Sequence, residues 1–180
     1  MKSKDLDQLC ELAGIGAGHA AIAFSQLTGR SIQTGPPRVY GGVEAEIADD
    51  PAVAEEWCSG VVFEFEGCVE ALVAIMFRES VRDSVVRQLL GSAEEPLPRE
   101  SVESVLMEVG NILASCVASS IADTLGEPLL PSIPTLAMEH AQSELAELAS
   151  RRSGQFEVRI ECELLEPGGE MGGLVVLIPD

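Results

Sequence analysis

The sequence predicts an α/β protein of the α+β type. Two pseudo-symmetric αβββ-like repeats place their helices on one mostly antiparallel, six-stranded sheet. Three observations predict it. Two long segments carry apolar residues at helical spacing, and each stops at a glycine. Each is followed by a proline-bounded turn and then by Val/Ile/Phe-rich runs that suit half-buried strands. An offset of 97 residues also superposes the segment starting at Asp7 on the one starting at Ser104 without a gap. Leu9 then falls on Leu106, Glu11 on Glu108, Ile15 on Ile112, Ala17 on Ala114, Ala21 on Ala118, Gly29 on Gly126 and Pro37 on Pro134.

The elements follow in order. Residues 5–28 carry Leu6, Leu9, Leu12, Ile15, Ile22 and Leu27 at helical spacing, with Gly29 as the stop. A short strand is expected at Arg38–Gly41, and Asp50-Pro51 opens a short helix with proline at a favoured first position. Strands at 61–66 and 69–77 flank a turn at Gly67, and Glu79–Leu90 reads as an amphipathic helix ended by Gly91. Ala93-Glu-Glu-Pro-Leu-Pro98 reads as the link between repeats, which run approximately over 5–92 and 99–180 of a single domain, 1–180. The second repeat opens with a helix over 99–125, carrying Val102, Val105, Leu106, Val109, Ile112, Leu113 and Val117. A strand at 135–138, a helix over 138–151 and strands at 156–164 and 172–178 around Pro167-Gly168-Gly169 complete it.

Composition narrows the function classes. Of 180 residues, 46% are apolar, well above disordered composition. No run of 18 apolar residues exists, and the acidic start Met1-Lys-Ser-Lys-Asp-Leu-Asp7 is not that of a secretory signal. The five cysteines form no C-x-x-C pair, so they read as small hydrophobes in a reducing compartment, and the expected address is the cytoplasm. Cys10 and Cys116 are expected to pack within the two long helices. Thirty acids against 11 bases give a net charge of −19. That balance argues against nucleic acid and anionic membrane as partners and is compatible with a partner presenting a basic patch. Its plainer reading is solubility.

Ser104, Glu108 and Asn111 stand at i, i+4 and i+7 of the second helix, on one face at about 100° per residue. Gly110 is expected to leave that face open to close approach by another molecule. Such a stripe is ordinarily the wet side of an amphipathic helix. Here it recurs as Asp7, Glu11 and Gly14, and in both copies 22 residues separate the third position from a proline, Pro37 or Pro134. A merely solvated face has no reason to keep that distance. His19 lies about 140° around the helix from Gly14 and reads as structural. His140 reads as surface or packing, and no metal ligand set or cofactor motif is visible.

The pattern Asp/Ser-x-x-x-Glu-x-x-Asn-x(22)-Pro resembles the signature of CheC-type phosphatases, a group that includes the CheX and FliY proteins. The second copy satisfies it with Ser104, Glu108, Asn111 and Pro134. Ile15-Gly-Ala-Gly-His-Ala-Ala21 is similar to the first-helix run of that family, and Leu177-Ile-Pro179 to a strand ending common in it. The first copy departs, because Gly14 stands where the motif needs asparagine.

The resemblance implies a phosphatase acting on a phosphorylated aspartate of a CheY-like response regulator. Asn111 would orient the attacking water, Glu108 would dock the partner through one of its cations, and Ser104 would add a hydrogen bond at the edge. Pro134 would be structural, and any Mg²⁺ would sit on the regulator. The alternative is a non-catalytic module of the same fold that binds a regulator or a CheD-like deamidase.

Overall fold

The computed structural model describes residues 3–41, 57–93, 95–151 and 158–180. The expected helix opening at Asp50-Pro51 lies outside them. In chain order the elements are α1 (Ser3–Thr28), β1 (Gln33–Thr34), β2 (Arg38–Gly41), β3 (Ser59–Gly67), β4 (Ala71–Phe77) and α2 (Glu79–Leu90). They continue with α3 (Arg99–Leu125), β5 (Leu129–Pro131), β6 (Thr135–Ala137), α4 (Ala141–Arg151), β7 (Val158–Leu165) and β8 (Gly172–Pro179). The helix expected over 138–151 thus begins at Ala141. His140, exposed and at φ 57°, ends the preceding turn and accepts the Glu144 amide at 3.1 Å.

Every strand pairing is antiparallel. The eight segments form six ranks, because β1 and β2 both pair with β7 while β5 and β6 both pair with β3. The order is β1/β2, β7, β8, β4, β3, β5/β6. The two halves interleave: the short strands of each lie against the long strand of the other, and β4 and β8 meet at the centre, Ala74 opposite Val176.

Strand periodicity sends alternate side chains to opposite faces. Val61, Phe63, Phe65, Val73, Ile75, Ile160, Cys162, Leu164, Val175 and Leu177 join α1, α2 and α3 in the main core. Val62, Leu72, Ala74, Met76, Leu174, Val176 and Ile178 point the other way, into a smaller core with Trp57 and with Ala141, Leu145 and Ala149 of α4. Helices therefore cover both faces of the sheet, with α4 on the face opposite α1, α2 and α3. Every residue of β4 is buried, as both faces of the central strands are covered.

Helix α3 is long and apolar enough to cross a membrane by length and composition. Its packing accounts for that composition: more than half of its most apolar stretch is buried inside the fold, between α1 and the sheet. The caps are those the sequence indicates. Gly29 and Gly126 take the left-handed conformation, at φ 63° and 70°, that lets each long helix stop, and the Gly126 amide bonds Ala122 O at 2.8 Å.

Candidate functional site

The buried side of α3 carries Val102, Val105, Leu106, Val109, Gly110, Leu113, Ala114, Val117, Ala118 and Ile121. That stripe fixes the rotation of the helix, and so decides which side chains face solvent. Ser104, Glu108 and Asn111 are all exposed, on one ridge that Ser115 and Ser119 continue. Sequence reasoning passed over these two serines, although they keep the same i+4 spacing beyond Asn111. Among the described residues, Ser104, Glu108 and Asn111 have no hydrogen-bond or ion-pair partner. Their polar groups are spent on nothing among the described residues.

Gly110 does not open this ridge, contrary to expectation. It is buried on the opposite flank, and a Cβ there would stand 2.7 Å from Val61 Cγ2 and 2.8 Å from Val61 Cβ. Its role is to seat α3 directly on β3. Gly16 does the same between the two long helices, where a Cβ would meet Val117 Cγ1 at 2.8 Å. The missing side chains bring α1, α3 and the sheet closer than alanine would allow.

The fixed distance to a proline also has a physical cause. A Cβ on Gly14 would stand 3.3 Å from Pro37 Cγ, so the third stripe position and the proline that follows it after 22 intervening residues face one another. The corresponding residues of the second copy are the exposed Asn111 and the half-buried Pro134. The loop carrying Pro134 is pinned to β3: the Ser132 amide donates to Glu64 O at 2.8 Å, and the Glu64 amide donates to Ser132 Oγ at 2.9 Å.

Asp7 and Glu11 are exposed on α1, as the repeat predicts, and Gly14 is half-buried under Pro37. Ile22, counted above in the apolar series, lies on this same outward stripe and is 58% exposed. His19 is exposed too, so the structural role expected for it is not seen. Cys10 and Cys116 are half-buried against the main core. Cys162 is buried beneath α1, and burial pushes its thiol up to about 11.

The electrostatics are one-sided. All eight described arginines are engaged: seven pair with carboxylates, as Arg99 with Glu103 at 2.7 Å, and Arg78 lies 4.7 Å over the Trp57 ring. The motif ridge therefore presents an uncompensated carboxylate beside a neutral amide. Among the described residues no group of three His, Cys, Asp or Glu could hold a metal ion. A cleft of about 540 Å³ lined by Arg30, Arg87, Glu166 and Met171, among others, includes none of the motif residues. The motif side chains stand exposed on the helix surface. An exposed helical stripe suits contact with another protein's surface, whereas a small molecule needs a concavity to bury it.

No protein-family model matches the chain. In sequence it is 24% identical over 188 aligned residues to the CheY-P phosphatase CheC of Bacillus subtilis, covering 100% of this chain and 90% of that protein. Among solved structures, FliY of Thermotoga maritima superposes with a TM-score of 0.72 at 17% identity, over 99% of this chain and 91% of that one. A chain of the CheX–CheY–BeF3–Mg²⁺ complex of Borrelia burgdorferi superposes with a TM-score of 0.60 at 16% identity, over 91% and 94%. The chain thus has the fold that CheX and FliY share, and it resembles the CheC-type phosphatases along its whole length.

Proposed function

We propose that the protein accelerates hydrolysis of the aspartyl phosphate on a CheY-like response regulator in the cytoplasm, through the second-copy ridge. The observation that carries this reading is the state of the ridge: Asn111 and Glu108 are exposed and unpartnered on a helix whose rotation the core fixes. The relative named as a CheY-P phosphatase supports the substrate class.

The chemistry asked of the chain is modest. An acyl phosphate is already reactive, and phosphoryl transfer through a loose transition state depends on positioning and charge stabilisation. The Asn111 carboxamide supplies an acceptor for a proton of the attacking water and a donor toward a phosphoryl oxygen, and adds no charge of its own. Glu108, one turn earlier, would be repelled by the phosphoryl group. Its place is on a cation of the regulator's face, where it docks the helix. Ser104 lies one turn further out, at the rim. With every described arginine engaged, the cations that neutralise the phosphoryl oxygens come from the regulator and its Mg²⁺.

The test is the lifetime of a phosphorylated CheY-like regulator from the same genome, with and without the protein. Shortening proportional to protein concentration supports the reading, and an unchanged lifetime refutes it. Glu108→Gln should raise the half-saturating regulator concentration about tenfold, since truncating one member of a desolvated charge pair costs on that order. The turnover at saturation should change far less. An equal loss in both parameters would assign Glu108 to the chemistry instead of docking.

The first copy supports no second working site. Gly14→Asn restores the missing residue type, yet its Cβ would press on Pro37 Cγ at 3.3 Å, and the carboxamide has to leave beside that ring. In an Asn111→Ala background, Gly14→Asn should return less than about a tenth of the lost acceleration, because misplacement by an ångström costs roughly a hundredfold. Full recovery would show Pro37 to be no obstacle.

The departure at Gly14 favours a second reading. A scaffold that persists without one asparagine can serve as a binding module for a regulator or a CheD-like deamidase. Saturable regulator binding with an unchanged phosphate lifetime would select that module.

A further inference from the structure

Ile133 is 90% exposed, the largest exposure among the big apolar side chains of the described residues. A single exposed isoleucine is unremarkable where its loop is free. This one is held: Ser132, its neighbour, bonds Glu64 of β3 in both directions, and Ser132 Oγ donates to Ile133 O at 3.0 Å. The chain orders the loop and leaves the side chain outside.

Its position relates it to the ridge. Pro134, the next residue, corresponds to Pro37, whose ring abuts the third stripe position in the first copy. By the 97-residue correspondence the 132–134 loop belongs at the Asn111 part of the ridge, and α3 packs on β5 and β6, the two strands that flank that loop. The 97-residue correspondence is reliable here, because Leu129 and its counterpart Ile32 are both buried, at 5% and 7%. At that offset the counterpart of Ile133 is Pro36, and that of Leu130, 68% exposed, is Gln33. At these two positions the second copy thus exposes isoleucine and leucine where the first has proline and glutamine, although the first copy exposes Ile22 and Val39 elsewhere.

We propose that Ile133 is an apolar anchor of the docking surface, seated on the phosphorylated receiver domain next to the site that Asn111 enters. This rests on the function proposed above and names how the partner is held. Charge selects the occupant: a ridge with one uncompensated carboxylate, on a protein of net charge −19, fits a face that combines a cation with an apolar depression. A second copy of this acidic chain would set carboxylate against carboxylate. An apolar anchor ringed by polar contacts is the usual layout of an energetic hot spot.

The experiment uses the full chain and a purified CheY-like regulator from the same genome, phosphorylated with a small-molecule phosphodonor. It compares the parent, Ile133→Ser and Leu90→Ser. Leu90, 48% exposed at the end of α2, is the control for losing any exposed leucine or isoleucine. Ile133→Ser should raise the half-saturating regulator concentration about tenfold or more, the expected loss for an isoleucine no longer buried, with turnover at saturation kept within twofold. Leu90→Ser should behave as the parent. Equal half-saturation for Ile133→Ser and the parent overturns the anchor while leaving the phosphatase reading intact. If the parent does not shorten phosphate lifetime, regulator binding is titrated directly. Weaker binding by Ile133→Ser then supports the anchor while the activity reading fails, and binding that is absent or unaffected overturns both.

Discussion

Asn111→Ala is expected to slow regulator dephosphorylation by about a hundredfold or more at saturating regulator, with the folded protein otherwise unchanged. The size follows from the role. A group that positions the nucleophile and contacts the phosphoryl oxygens in the transition state costs about 10²–10³ when removed. The cleanness follows from the structure. Asn111 is exposed and has no partner among the described residues, so its amide supports nothing within the fold. Surface substitutions of this kind stay within about 0.5 kcal/mol of the parent. Phosphate lifetime and thermal unfolding therefore separate the two explanations of any loss. Asn111→Asp should be as poor as alanine or worse, because it sets a carboxylate against an anionic phosphoryl group, and its binding of phosphorylated regulator should weaken as well. A variant that dephosphorylates as fast as the parent would remove Asn111 from the mechanism, whatever the fold.

Much of the geometry behind that prediction was legible from residue spacing. The boundaries of α2 and α3, the strand at Arg38–Gly41 and the glycine stops follow from apolar periodicity and cap chemistry, which are local. The outward orientation of Ser104, Glu108 and Asn111 follows as well, since eleven buried positions on the rest of α3 leave no other rotation. Pairing partners are not local. Nothing in the residues of β2 says that it lies against β7 of the other half, and β1 and β5, of two and three residues, are too short to show periodicity.

The placement of α4 had a signal that was under-used. Ala71–Phe77 and Gly172–Pro179 are continuous apolar runs, without the alternation of a strand that has one wet face. Such runs require cover on both faces, and α4 supplies part of it over β3 and β4. By contrast β7 alternates, with Ile160, Cys162 and Leu164 toward the helices and Arg159, Glu161 and Glu163 on the other face. There Glu163 bonds Arg38 across the strand pair at 2.7 Å, and burial pushes the Glu161 carboxyl up while its pairing with Arg159 opposes the shift. Gly110 misled for a related reason. A glycine beside a functional asparagine suggests room for a ligand, but position 110 is about 100° around the helix from 111, which on α3 means facing the sheet.

That glycine supports the second large prediction. Gly110→Val should lower stability by about 3 kcal/mol, a loss of roughly 6–10 °C in Tm for a chain of this size. The Cβ alone would stand at 2.7 Å and 2.8 Å from two carbons of Val61, well inside contact distance, and valine adds two more carbons at the same place. The neighbour cannot swing aside, because Val61 is fully buried and its strand is paired on both sides, with β4 and β6. Alanine at 110 brings the same Cβ clash, offset by about 1 kcal/mol of better helix propensity, and should be milder. If contact with Val61 is the cause, shortening that side chain must relieve it. Val61→Ala alone leaves a cavity and costs about 1–2 kcal/mol, yet Val61→Ala with Gly110→Val should cost less than the sum of the two by more than 1 kcal/mol. Strict additivity in chemical denaturation would mean that α3 shifts as a body and that the close seat on β3 is not what holds it. The catalytic readout then decides what the seat is for. A helix raised from the sheet carries Asn111 outward while Pro134 stays pinned through Ser132. Gly110→Ala should therefore lose turnover out of proportion to its small loss of stability, and Val61→Ala should restore part of that turnover.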